Sequence, residues 1–181
     1  RGCWNNWMPI IPPEQHRRLF FALWPDDAVR QRIAVLSRQV CKHPVPEGNL
    51  HLTLRFLGRQ DEEARQCFCA AAGQLQCKSF TLLLDRYGGW LRKHIQWLGA
   101  SAPPQALGQL VDALNIALAA CGMEVEKRPF IPHVTLSRKA KNPFTGPLPE
   151  SIFWSVKDFV LAESVPSPDG VRYVVLERWA L

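Results

Sequence analysis

Two short segments of the chain share one form. Residues 51–54 read His-Leu-Thr-Leu and residues 133–136 read His-Val-Thr-Leu. Each is His-apolar-Thr-apolar, and each lies in a run that reads as a β-strand. Side chains alternate faces along a strand, so residues two apart point the same way. His51 and Thr53 therefore share a face, as do His133 and Thr135. Leu50, Leu52, Leu54, Val134 and Leu136 turn toward a core. A His and a Thr so placed stand about 6.5 to 7 Å apart. Two such strands side by side would form a cup of two imidazoles and two hydroxyls.

That inventory suits a phosphodiester. Histidine's ordinary pKa of about 6.5 lets one imidazole take a proton from an attacking water while the other gives one to the leaving oxygen. The Thr hydroxyls and nearby backbone N–H groups can hold the non-bridging oxygens. A single His-x-Thr in a strand is more often a half-exposed pair with no chemistry. Two copies favour a shared site. A metal centre is the rival use of two histidines, but neither motif has a further carboxylate or His at ligand spacing. Asp61, Glu62 and Glu63 read instead as the first turn of a helix, where negative charge is favourable. No Gly-x-Ser-x-Gly elbow marks a serine nucleophile.

Cations must balance the phosphate. Arg55 shares the His51 face by alternation. Arg128 precedes the second motif, and Arg138, Lys139 and Lys141 follow it. Strict alternation puts Arg138 on the Val134 face, so it must reach over from the strand end or follow a bulge. A guanidinium can hold phosphate with two parallel hydrogen bonds. For Lys139 and Lys141 a solvated loop is an equal reading. His16, His43 and His94 belong to no repeated pattern and read as incidental.

The elements that position these residues follow from periodicity. Residues 19–24 form a buried apolar strand. Pro25-Asp26-Asp27 opens a helix with Val29, Ile33, Leu36 and Val40 on one face. Residues 50–57 form a strand ended by Gly58, and Asp61 opens a helix to about Gln76. Phe80, Leu82 and Leu84 alternate in a strand. Gly88-Gly89 reads as a turn, and residues 95–98 as its hairpin partner. Pro103-Pro104 leads into a helix with Leu107, Leu110, Val111, Leu114 and Leu118 on one face, stopping at Gly122. Residues 131–137 form a strand, 139–149 a loop. Residues 153–165 and 171–179 form two long strands joined by Pro166–Gly170. Frequent hairpins among mixed elements indicate an α+β fold with antiparallel sheets.

The chain has 181 residues, 47% hydrophobic and 21% charged, which is the composition of one globular domain rather than a disordered tract. No apolar run approaches the roughly 20 residues that span a bilayer, so no membrane partner is expected. The formal net charge of +6 fits either a solvated basic surface or a polyanionic ligand. The six cysteines contain no Cys-x-x-Cys pair and read as reduced thiols of a cytoplasmic protein. Residues 1–16 are set aside as a lead, poorly ordered or foreign to the natural chain. Residues 17–181 are expected to form a single domain.

The wider context adds a resemblance. Asn49-Leu50-His51-Leu52-Thr53-Leu54-Arg55-Phe56-Leu57-Gly58 resembles the first signature of the bacterial RNA 2',3'-cyclic phosphodiesterases, once called 2'-5' RNA ligases. Arg128-Pro129-Phe130-Ile131-Pro132-His133-Val134-Thr135-Leu136-Ser137-Arg138 resembles the second. The segments around Arg18–Ala22 and Arg172–Trp179 also fit. The resemblance implies a bilobal two-histidine phosphoesterase fold: antiparallel sheets flanked by helices, pseudo-twofold symmetric about a central cleft. It implies hydrolysis of RNA 2',3'-cyclic phosphate ends to 2'-phosphates without metal or nucleotide cofactor, with 2'-5' joining to a 5'-hydroxyl as a second activity. By position, His51 becomes the proton donor to the leaving 3'-oxygen and His133 the acceptor that activates water. Thr53 and Thr135 bind phosphate, with help from Arg138, while a role for Arg55 rests on geometry alone. No obligatory protein partner is implied. Phe56 and Trp90 are candidates to stack on a base, although alternation favours the core for Phe56. Two alternatives stay open: a non-catalytic nucleotide- or RNA-binding relative, and a two-histidine phosphodiesterase for another cyclic or 2'-5' linked nucleotide.

Overall fold

The structure is a computed structural model, and it describes residues 16–168 and 170–181. The expectation for the lead therefore falls, up to residue 15, outside the described residues. The chain runs β1 (Arg17–Leu23), α1 (Asp27–Val40), β2 (Leu52–Gln60), α2 (Glu62–Gly73), β3 (Phe80–Trp90), β4 (Ile95–Gly99), α3 (Gln105–Ala119), β5 (His133–Ser137), β6 (Gly146–Val156), β7 (Asp158–Ser167) and β8 (Gly170–Ala180). A short 3-10 turn, Glu47–Asn49, precedes β2.

Local chemistry sets the helix ends. The Asp26 carboxylate accepts from the Val29 amide at 2.9 Å and starts α1. Asp61 does the same for α2 through Ala64, at 2.8 Å. Past the end of α3, Gly122 adopts φ 82°. The Met123 and Gly122 amides donate to the carbonyls of Leu118 and Ala119, each at 3.1 Å. These nested bonds need a left-handed residue at position 122, and Gly takes that conformation at low cost. The apolar stripes go inward: Val29 and Ile33 of α1, and all five expected residues of α3, are buried.

The strands form one sheet in the order β6-β3-β4-β5-β2-β1-β7-β8, and every ladder is antiparallel. The sheet divides naturally in the middle. Four strands lie on each side of the β5/β2 seam. At that seam the ladder consists of a single pair, Leu52 with Val134. The two halves repeat one unit: β1-α1-β2 on one side matches β4-α3-β5 on the other. Each unit ends in a His-x-Thr strand, so the sequence repeat is a repeat of architecture.

The main core lies against one face of the sheet and includes Leu19, Phe21, Leu23, Ile33, Leu52, Leu114 and Val134. A smaller apolar cluster covers the opposite face: Phe20, Ala22, Val160 and Ala162, with Trp24, Tyr173 and Val175 against them. The successive residues of β1 thus feed two different clusters, as a strand buried on both faces must.

Four expectations need correction. Gly88-Gly89 is not a turn but the end of β3. A Cβ on Gly88 would stand 2.1 Å from the Trp97 ring, and one on Gly89 2.6 Å from Pro143 Cβ. The glycines are there for close approach; the reversal comes later, at His94, whose φ is 53°. The expected strand over 153–165 breaks at Lys157, where the chain leaves β3's neighbour and enters β1's. The expected loop 139–149 ends early, because β6 starts at Gly146. Lastly, the cysteines are not all thiols: Cys67 of α2 and Cys121 after α3 form a disulfide, with Cα atoms 5.9 Å apart. Cys41, Cys69 and Cys77 are free. Among the described residues no helix is long and apolar enough to cross a membrane.

The disulfide makes a prediction. It closes a segment of 54 residues, for which chain entropy gives about 4 kcal/mol of stabilisation. Alkylation without reductant followed by peptide mass spectrometry should show Cys67 linked to Cys121. Reduction should lower the melting temperature by roughly 8 to 15 °C in a chain of this size. Full alkylation of Cys67 and Cys121 in the unreduced protein would remove the crosslink from the fold.

Candidate active site

The Leu52–Val134 pair fixes how the two motifs meet. One position to either side in an antiparallel ladder, His51 stands opposite Thr135 and Thr53 opposite His133. Each histidine therefore faces the other motif's threonine. The arrangement is two matched half-sites related by the pseudo-twofold axis.

Each imidazole is oriented the same way. His51 Nδ1 lies 2.7 Å from the Asn49 carbonyl oxygen, and His133 Nδ1 lies 2.7 Å from the Ile131 carbonyl oxygen. A carbonyl can only accept, so in both rings Nδ1 carries the hydrogen. Nε2 is left as the nitrogen free to exchange a proton. In the first half-site Nε2 of His51 also meets Thr53 Oγ1 at 3.0 Å.

Aromatic rings clamp both imidazoles, but unequally. Trp24 stacks on His51 with centroids 5.6 Å apart and planes 12° from parallel. Tyr173 presents its edge at 4.9 Å, and Phe20 sits at 4.9 Å on a tilt. His51 is only 7% exposed as a result. His133 meets Trp90 edge-on at 4.7 Å and Trp97 at 6.0 Å, and remains half-buried.

Immediately after each threonine the strand bulges. In β2 the register slips between Phe21–Arg55 and Ala22–Thr53, so Leu54 is the extra residue. In β5 it slips between Gln96–Ser137 and Trp97–Thr135, so Leu136 is the extra residue. Paired residues share a side of the sheet. Arg55 therefore lies with Phe21 on the main-core side, next to Leu54, while Ser137 and Leu136 are both buried. The residue that follows returns to the histidine side: Phe56 in β2 and Arg138 just past the end of β5.

The two bulges overturn the readings for Arg55 and Phe56, and the second provides the bulge that Arg138 required. Arg55 does not share the His51 face. Its guanidinium pairs with Glu126 at 3.1 Å and donates to the Glu124 carbonyl. Arg138, which simple alternation sent to the core, lines the same cavity of about 490 Å³ as His51, Thr135 and Tyr173. Phe56, which alternation sent to the core, is 57% exposed, with its ring 6.1 Å from that of Phe20. Trp90 is not a free platform: its edge is against His133, and Lys93 Nζ lies 5.4 Å from its centroid. Arg128 pairs with Glu126. His43, read as incidental, lines the cavity wall.

Sequence reasoning also passed over Asn49. Its side chain is 8% exposed and does two jobs on β8. Nδ2 donates to the Val171 carbonyl at 2.6 Å, and Oδ1 accepts from the Tyr173 amide at 3.0 Å. Its own carbonyl receives His51 Nδ1. Asn49 thus ties the His51 ring, that ring's edge-on partner and the 3-10 turn into one unit. The signal available in sequence was only an Asn two residues before a His.

Electrostatics set the resting protonation. Burial pushes the His51 pKa down to about 4, and the positive charges of Arg138 and His133 act in the same direction, against the Asn49 carbonyl. His133 is also lowered, first by burial and then by Arg138 and Lys93, against the Ile131 carbonyl. Both imidazoles are neutral at pH 7 in a site that waits for negative charge. Among the described residues no group of three or more His, Cys, Asp or Glu is placed to hold a metal ion.

The family model of the 2'-5' RNA ligase superfamily matches residues 25–164. The chain belongs to that superfamily. Among relatives of this superfamily member, the RNA 2',3'-cyclic phosphodiesterase of Escherichia coli is 39% identical over 171 residues, covering 91% of this chain and 97% of that protein. The RNA 2',3'-cyclic phosphodiesterase of Thermus thermophilus is 31% identical, covering 91% of this chain and 90% of that one. The crystal structure of E. coli LigT complexed with 3'-AMP matches with a TM-score of 0.83 at 37% identity, over 92% of this chain and 98% of that chain.

The geometry of the rings can be tested by titration and that of the clamp by unfolding. In an NMR titration of the free protein both imidazoles should titrate below 6.5, His51 near 4, and binding a nucleoside 2'-phosphate should raise at least one of them. A free His51 that titrates above 6.5 would contradict the buried, cation-flanked site. Asn49→Ala removes both bonds to β8 and should cost about 1 to 3 kcal/mol by denaturant unfolding. It should also lower turnover while the His133 titration stays in place. Unchanged stability would show that Asn49 is no clamp.

Proposed function

We propose that this superfamily member is an enzyme that hydrolyses the 2',3'-cyclic phosphate at an RNA 3' end to a 2'-phosphomonoester, without a metal or nucleotide cofactor. The observation that carries the reading is the facing pair of half-sites. Two Nδ1-anchored imidazoles stand on facing strands, and His51, Thr135 and Arg138 line one cavity beside them. The names of the relatives in E. coli and T. thermophilus support the substrate class.

The chemistry then runs as an in-line displacement. The cyclic phosphate lies between the two Nε2 atoms, with its non-bridging oxygens toward Thr53, Thr135 and Arg138. His133 Nε2 removes a proton from water as the water oxygen bonds to phosphorus. The bond from phosphorus to the 3'-oxygen breaks, and that oxygen takes a proton from His51 Nε2. One water is consumed and a 2'-phosphate and 3'-hydroxyl result. Exchange with solvent resets the two rings.

The surroundings support this division of labour. The acid must be protonated before it acts, and a bound phosphate anion beside His51 raises its pKa from the resting value of about 4. The parallel Trp24 face adds stabilisation for an imidazolium. His133 is the more open ring, as suits the one that handles water. With a 5'-hydroxyl in place of water, the same proton transfers join two ends through a 2'-5' linkage. That second activity belongs to the same proposal.

The test is a product assay with uridine 2',3'-cyclic phosphate in excess chelator. The 2'-phosphate isomer should accumulate, with a bell-shaped dependence of rate on pH. His51→Ala and His133→Ala should each lower kcat by at least about 10²-fold while still unfolding in a cooperative transition. Loss of wild-type activity on chelation, or near-full turnover in either variant, would overturn the reading.

A further inference from the structure

A second cavity, of about 300 Å³, opens beside the first. The two share His43 and Lys139 as a common wall. The second adds Lys42, Lys141 and Phe144. We propose that this cavity is a subsite for the nucleotide on the 5' side of the reacting one, with Lys42, Lys139 and Lys141 around the phosphodiester that joins them.

The lysines come from two loops far apart in sequence, and buried polar side chains hold those loops together. Ser137, 1% exposed, donates through Oγ to the His43 carbonyl at 2.7 Å and accepts from the Lys139 amide at 3.1 Å. The Val45 amide donates to the Leu136 carbonyl at 2.7 Å, stitching the first loop to β5. Gln96, 2% exposed, exchanges two hydrogen bonds with the backbone of Phe144, at 3.0 and 2.9 Å. The Ala140 amide donates to the His94 carbonyl at 2.9 Å. The cavity is therefore walled by fixed backbone.

Its charge is uncompensated. Among the described residues no carboxylate forms an ion pair with Lys42, Lys139 or Lys141, although Arg55, Arg65 and Arg128 all have such partners. Three lysines line the cavity without an ion-paired carboxylate, and a phosphate there would supply the counter-charge. Phe144 is 42% exposed and is backed by Tyr87 at 5.1 Å, leaving an aromatic surface at the cavity rim for a base.

Position decides which phosphate. The cyclic phosphate uses the 2'- and 3'-oxygens of the terminal ribose, so an RNA chain must leave through the 5'-oxygen. The next phosphate along is one nucleotide away, as the second cavity is one shared wall away from the first. This inference rests on the proposed function but is separable from it by substrate length.

The experiment compares uridine 2',3'-cyclic phosphate with the dinucleotide UpU ending in the same cyclic phosphate, for wild type and for Lys42→Ala/Lys141→Ala. Neither lysine lines the first cavity. Wild type should prefer the dinucleotide in kcat/KM by about tenfold, an effect in the range of one charge-assisted contact. That preference should carry a salt slope steeper by about 0.7, as for one neutralised single-strand phosphate. The double alanine variant should lose the preference and the extra slope and keep its mononucleotide rate, and Lys42→Arg/Lys141→Arg should restore both. Equal wild-type rates on the two substrates, or an alanine variant that keeps the preference or slows both substrates alike, would overturn the subsite. Wild type inactive on both would overturn the function itself, and the subsite with it.

Discussion

The site depends on the seam where β2 meets β5. A single ladder pair, Leu52 with Val134, joins the two halves of an eight-stranded sheet. Both residues are completely buried, so the joint is locked by packing as well as by backbone bonding. Its register places each histidine across from the opposite threonine. A slip of either strand by one residue would turn that strand's histidine toward the core. Because the ladder is one pair long, the strands are free to part on either side of it, and the cavity lies beside the joint.

Symmetry supplies the two half-sites, and the bulges break it where a difference is useful. Each His-x-Thr is followed by an extra residue, Leu54 or Leu136. The residues delivered to the cleft side by those bulges are not alike. In the first half it is Phe56, in the second Arg138. The residues turned away differ as well: Arg55 is neutralised by Glu126, while Ser137 is buried and holds two loops together. One cation is thus directed at the cavity and its nearest counterpart is committed to structure.

Much of this was legible in the sequence, for physical reasons that also mark where legibility stops. The faces of His51, Thr53, His133 and Thr135 follow from a period of two, and the helical stripes from a period of 3.6. The cap at Gly122 needs a residue that tolerates positive φ. A bulge has no such signature, so counting along the strand misplaces Arg55, Phe56 and Arg138 together, all beyond the extra residue. Gly88-Gly89 is ambiguous because a glycine pair marks either a turn or a close approach, and only the position of Trp97 distinguishes them. The Cys67–Cys121 pairing joins residues distant in sequence, and nothing local encodes it. Asn49 acts through a strand more than 120 positions away.

What near-identical motifs could not say is how two histidines come to differ, and here the surroundings carry the argument. An imidazole that must hold a proton through the reaction gains from a stacked aromatic face, a fixed orientation and exclusion of bulk water. His51 has Trp24, the Asn49 carbonyl and 7% exposure. The same burial forces its resting pKa down to about 4, so a neighbouring anion favours its protonated form. In the proposed reaction the bound anion therefore helps to charge the ring that acts as the acid. His133, edge-on to Trp90 and open to one side, is left able to exchange its proton with water. The asymmetry of the two half-sites thus resides in the rings around the repeat rather than in the repeat.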